Sequence, residues 1–230
     1  MEQVKAIVHS ANQLLRARIG EYFPDGKLQL EQYARYLSVQ YHLTKGVQRH
    51  FLIAASHPSL AHKRPLREFL FNFALEEEPH YKIAEKDLEE LGCGVLPNTL
   101  NVKLWWAYFD SVVHERPFVR LGATCVLENF GSGIGDLVKP ILQATPFITP
   151  KTSRFLQIHM HEELPHGDQI LAALTQARPN ADEQADLAEG AEAGATLFLR
   201  MLDGAFGKDE WAGAFTAAAS INKDLPAIYS

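Results

Sequence analysis

Only two cysteines, Cys93 and Cys125, occur in the 230-residue chain. They fall into no metal-ligand spacing and cannot build a disulfide framework, which excludes a small stapled fold of the secreted kind. No apolar run approaches the roughly 20 residues that cross a bilayer. The opening stretch MEQVKAIVHSANQLLRARIG carries charges throughout and lacks the apolar centre of a secretory signal, so a cytoplasmic location is expected. Positive charge is not in excess either. The net charge is -6 and the pI near 5.9, which gives no electrostatic reason to expect nucleic acid or an anionic membrane as partner. Low-complexity tracts and solenoid periods are missing, and hardly any stretch alternates apolar and polar residues as a half-buried strand would.

What is present is helical periodicity. Hydrophobic residues make up 47% of the chain and charged residues 22%, an ordinary globular balance with enough apolar material for one core. The spacing predicts helices over 2–20, 28–56, 65–92, 97–115, 117–144, 150–177, 182–206 and 208–222. Turn and cap residues interrupt them at FPDGK, SHPSLAHKRP, GCGVLPN, ERP, TPFITP, RPNADE and FGKDE. None of these reads as an interdomain linker. The expected architecture is all-α, a single domain over 1–230 built as a bundle of seven or eight helices.

Two segments of that bundle share a pattern. EEEPH at 76–80 and EELPH at 162–166 both read Glu-Glu-x-Pro-His, so each contains Glu-x-x-His: Glu77 with His80, and Glu163 with His166. Residues three apart lie on one helix face, where a carboxylate oxygen and an imidazole nitrogen can meet one ion. One such pair alone is usually a solvated surface pair; two on different helices are what dimetal bundles use, together with further carboxylates. Glu128 in GATCVLENFGSGIG is the acid in apolar surroundings, and an ionised carboxylate there needs a partner. His159 precedes Glu163 by four residues and His166 by seven, which places the three on one stripe. A one-residue phase error would exchange Glu162 for Glu163. The candidate ligands are therefore Glu77, His80, Glu128, His159, Glu163 and His166. Mixed oxygen and nitrogen donors without thiolate suit iron or manganese. Pro79 and Pro165 each precede a motif histidine and remove a helical hydrogen bond there.

This arrangement, Glu-x-x-His, then a lone buried Glu, then His-x-x-x-acid-x-x-His, resembles the heme-oxygenase-like diiron oxidases and oxygenases. That superfamily also contains TenA-type thiaminases and pyrroloquinoline quinone synthase. The likeness runs from about YARYLSVQYHL to MLDGAF, with specificity confined to the motif positions. It implies a heme-oxygenase-like bundle holding Fe(II), two ions per chain, with dioxygen as co-substrate and a small molecule such as an amino acid or fatty acid as the species oxidised. The family more often has Asp where this chain has Glu163. Some members also carry a further Glu on the preceding core helix, whereas SVQYHLTKGVQRH offers none. Lys45 or His42 stands there instead, and Lys45 is a candidate contact for a substrate carboxylate. Arg120, on the predicted helix of Glu128, is a second candidate, with a surface salt bridge as its plainer reading. Trp105 and Trp106 read as core before pocket wall. Dimers are common in this fold, so a homodimer is compatible with it.

Two other chemistries fit parts of the chain. In TenA-type thiaminases a cysteine attacks a pyrimidine ring, and Cys125 lies in the matching helical region. A heme-binding or heme-degrading protein would use His9 on the first helix, with GSGIGDLV similar to a glycine-rich distal helix. Both leave the Glu-x-x-His pairs without a role.

Overall fold

The computed structural model describes residues 1–131, 133–160 and 166–208, all but the side chains of 159 and 160 among them. It is all-α, with no strand among the described residues. The predicted helix over 208–222 falls almost wholly outside them.

The frame is set by α7 (Pro117–Asn129) and α11 (Ala181–Phe206), which pack against each other more extensively than any other pair. Small residues allow it. A Cβ placed on Gly122 would collide with the Leu187 carbonyl, and one on Gly190 with the Val119 carbonyl. These two backbones approach as closely as glycine permits. The α11 helix is fixed at its start by a reciprocal cap: the Asn180 side chain accepts from Glu183 N at 2.9 Å, and Asn180 N donates to Glu183 Oε2 at 2.8 Å. It stops at Gly207, whose φ of 81° only glycine adopts without strain.

The remaining helices wrap this pair. On one side lie α1 (Glu2–Tyr22), α2 (Leu30–Thr44), α5 (His80–Glu90) and α6 (Leu100–Val112), enclosing Leu37, Leu88, Trp105, Phe109 and Leu202. On the other, α3 (Gln48–Ser56), α4 (Arg64–Glu77) and α10 (His166–Ala177) enclose Phe51, Leu70, Phe73, Leu121, Val126 and Leu174. Two short helices, α8 (Gly135–Gln143) and α9 (Arg154–Met160), complete the described α-helices, and a 3-10 turn spans Pro58–Leu60. The buried Asp87 of α5 receives the Phe155 N–H at 2.8 Å, so a residue distant in sequence caps α9. No helix among the described residues is long and apolar enough to cross a membrane.

Several expected helices are divided. The 28–56 segment breaks at Lys45–Val47, where Gly46 has φ 91°. The 65–92 segment breaks at Glu78–Pro79, since proline cannot donate to the preceding turn. The 117–144 segment breaks between Phe130 and Ile134, with Gly131 at φ 90° and Gly133 at 80°. Those glycines were expected inside a helix; they instead form the turn that ends α7 just after Glu128.

Candidate metal centre

The break at Pro79 shapes the first motif. Glu77 is the last residue of α4 and His80 the first of α5, and Glu78 and Pro79 between them keep right-handed helical angles. The two ligand candidates therefore stay about one turn apart while the regular hydrogen bonding lapses. The Glu77 Oε2 and His80 Nδ1 atoms are 2.8 Å apart, and both side chains are buried.

Glu128 arrives from the last turn of α7 and His166 from the start of the described part of α10. The helices meet at Gly167, where a Cβ would collide with the side chain of Asn129. Asn129 is held in turn by its own Nδ2, which donates to Cys125 O at 2.8 Å, while Asn12 of α1 donates to Asn129 O at 2.9 Å and accepts from Gly131 N at 2.8 Å. In the resulting arrangement His166 Nδ1 stands 3.3 Å from Glu77 Oε1 and 3.5 Å from Glu128 Oε2. Phe73, one turn before Glu77, meets the His166 ring edge-on at 5.0 Å. The His80 and His166 rings lie nearly parallel, 6.4 Å apart, so Glu77 presents one oxygen to each imidazole.

These distances fit a shared ion. Nitrogen and oxygen donors about 2.0–2.2 Å from one metal stand about 3.0–3.5 Å apart at octahedral or tetrahedral angles. One donor atom from each of Glu77, Glu128 and His166 falls within 4.8 Å of the others. Glu77 Oε1 is buried and has no hydrogen bond of acceptable geometry among the described residues, an acceptor that a cation would satisfy.

The electrostatics carry the same signature. Burial, and then the negative charge of Glu77, push the Glu128 carboxyl upward. For Glu77 burial acts in the same upward direction, but the neighbouring His166 and His80 imidazoles outweigh it and hold its carboxyl well below the usual range. His80 is opposed by burial yet raised on balance by Glu77 and by Glu128. Two acids crowded beside imidazoles, with little solvent, form a site that a divalent cation would neutralise.

Four of the six sequence-derived ligands, Glu77, His80, Glu128 and His166, are thus brought together. His159 lies within α9, and nothing is described of its side chain; Glu163 lies outside the described residues, as do Glu162 and Pro165. Glu76, read from the sequence as a solvated neighbour, places Oε2 3.5 Å from His166 Nε2. Asn129 and Gly167 were not singled out at all; each directly follows a ligand candidate, and only the contact across helices reveals them.

Lys45 is exposed at the end of α2, donates to Tyr41 Oη at 2.7 Å and lies over the Tyr41 and Tyr81 rings. Arg120 is 1% exposed, which replaces the expected surface salt bridge with a fully interior position. Trp105 is buried against Phe109, and the Trp106 Nε1 donates to His42 O.

Superposition on solved structures places this arrangement in a known frame. The chain matches a domain of unknown function with a heme oxygenase-like fold from Shewanella denitrificans OS217 over 100% of its own length and 96% of the other, with a TM-score of 0.68 and 19% identity. The fold is heme-oxygenase-like. A CADD-like protein of unknown function from Nostoc punctiforme PCC 73102 matches 91% of this chain and 99% of its own, with a TM-score of 0.64 and 18% identity. Identities this low carry the fold and nothing more. No protein-family model and no curated protein matches the sequence.

Within the heme-oxygenase-like frame the two rival residues occupy different settings. Cys125 is fully buried on α7, and burial, with the charge of Glu128, pushes its thiol up to about 12; a nucleophilic cysteine needs the opposite shift and access. His9 is exposed on α1, beside an open cleft lined by Asn12, Arg16, Gly133 and Ile134.

Proposed function

We propose that the chain is a non-heme dimetal oxidase or oxygenase that holds iron at Glu77, His80, Glu128 and His166, with His159 and Glu163 completing the set, and oxidises a small organic substrate. One observation carries the reading: Glu77, Glu128 and His166, from three separate helices, bring donor atoms within 4.8 Å of one another. A purely structural bundle has no need of two acids crowded at such a cost in burial, whereas a metal site does. Two ferrous ions would supply electrons and open coordination positions for dioxygen.

The chain's own residues have separable tasks. Glu77, with an oxygen toward each imidazole, would serve as a metal ligand beside both His80 and His166. Glu128 and His166 close one side, His80 the other. Phe73 excludes water behind His166. Lys45, held over Tyr81 next to His80, offers its ammonium to an anionic group on the substrate, which favours a carboxylate such as an amino or fatty acid. The two cysteines without a disulfide framework suit the reducing cytoplasm.

The experiment is anaerobic ferrous loading followed by admission of dioxygen, with absorption and dissolved dioxygen recorded together. A transient visible band with dioxygen uptake in proportion to bound iron supports the reading. Iron that binds but neither takes up dioxygen nor changes its spectrum leaves a metal site without this activity.

A further inference from the structure

Arg120, Thr124 and Glu128 follow one another at intervals of four along α7, so they lie on one stripe of that helix. The Arg120 guanidinium is folded toward the acid end of the stripe: its Nη1 donates to Thr124 Oγ1 at 2.7 Å. Its Nε donates to His50 Nδ1 at 3.0 Å. Because an arginine nitrogen can only donate, His50 must carry its proton on Nε2, which faces Asp110 Oδ1 at 2.7 Å. Phe51, Trp105 and Phe109 present their rings to the guanidinium at 5.1 to 5.6 Å. Both hydrogen-bond partners of this buried cation are neutral acceptors, and among the described residues no carboxylate pairs with it directly. The acids whose charge it feels are Glu128 and Glu77.

A buried charge of this kind is costly unless opposite charge lies within reach. The metal centre contains the opposite charge, and its acids crowd one another. We propose that Arg120 is an internal counter-cation for the metal centre, offsetting the Glu77 and Glu128 carboxylates while the site is empty and weakening its hold on a divalent ion once filled. The inference deepens the metal reading and rests on it in its second half only. Arg120 acts through space, one turn of helix and more from the ligands, and so sets affinity without touching the ion.

Size and sign follow from Coulomb's law. A unit charge and a divalent ion roughly 10 Å apart, at an effective dielectric constant near 20, alter an equilibrium constant by about two orders of magnitude. Removing the cation should therefore tighten binding of the divalent ion and, at the same time, make the empty site less tolerant of two carboxylates. A residue needed only for packing would loosen the ion when removed.

The test uses the full chain, Mn2+ as sole ligand, and competition with a chromophoric chelator. Arg120→Met and Arg120→Gln, the latter able to keep a hydrogen bond to Thr124, are compared with Arg120→Lys, which keeps the charge. We expect about a hundredfold tighter Mn2+ binding in the uncharged variants and near-original affinity in Arg120→Lys. Equal weakening in all three overturns the proposal. In metal-free protein at pH 8, a double-mutant cycle of Arg120→Gln with Glu128→Gln reads the charge coupling from urea midpoints. Glu128→Gln should raise the midpoint more in the Arg120→Gln background than alone, and strict additivity would overturn the inference. If the chain takes up no Mn2+, the metal reading falls while the cycle still decides whether Arg120 balances Glu128.

Discussion

Glu128 and Glu77 converge on one ring nitrogen: His166 Nδ1 is 3.5 Å from an oxygen of the first and 3.3 Å from an oxygen of the second. Burial, and then repulsion from the Glu77 carboxylate, push the Glu128 carboxyl upward. Its folded value lies above its unfolded value, so ionising Glu128 costs stability once the pH exceeds that of a free glutamate. Glu128→Gln should therefore stabilise the metal-free protein at pH 8, by about 1 kcal/mol or more, while weakening metal binding. Urea denaturation without metal checks the first half. A clear loss of stability would contradict it.

Gly167 lets α10 come close enough for His166 to reach Glu128. Gly167→Ala should push the Asn129 side chain aside and separate the two ligand candidates. We expect at least a tenfold loss of Mn2+ affinity, by analogy with other residues that orient ligands from behind, and substantial recovery in the double variant Gly167→Ala with Asn129→Ala. Equal affinity in wild type and Gly167→Ala would show that the helix spacing does not set the site.

The seam between α7 and α11 makes a different demand. Gly190→Ala places a methyl group on the Val119 carbonyl, in a contact between backbones that no side-chain rotation relieves. The expected cost is on the order of 2–4 kcal/mol, read as a fall in the thermal midpoint. A cost near zero would mean that the helices separate freely.

His50 should make stability depend on pH. Burial, then the charge of Arg120, lower it to about 4 against the opposing pull of Asp110. The unfolded chain thus binds a proton between about pH 6.5 and 4 that the folded chain refuses, so stability falls with pH across that window and the loss is absent above it. The His50→Gln variant should show a flatter profile from pH 7 to 4 in urea unfolding. An unchanged slope would assign the pH dependence elsewhere.

Much of this centre was readable beforehand because its chemistry is local in sequence. Glu77 with His80, and His166 after a second Pro, stand out by spacing, and Glu128 by its apolar neighbours. The breaks within the long helices were less legible, since Gly46, Gly131 and Gly133 leave the hydrophobic period intact while taking the backbone to positive φ. The roles of Asn129 and Gly167 depend on a contact between α7 and α10 that no pattern along either segment records. The position of Arg120 was misjudged for a related reason: its partners, His50 and three aromatic rings, come from other helices. Asp87 capping α9 belongs to the same class, a polar contact made only by folding.

The central claim is that Glu77, His80, Glu128 and His166 form a metal centre. Its most direct test is the iron content of the full chain after anaerobic ferrous loading and desalting, measured beside Glu128→Ala and His166→Ala proteins whose helical content is checked by circular dichroism. The account predicts about two irons per wild-type chain, as dimetal bundles hold, and a large loss in both variants with helicity retained. Wild-type protein without iron, or variants that keep it in full, would contradict the account.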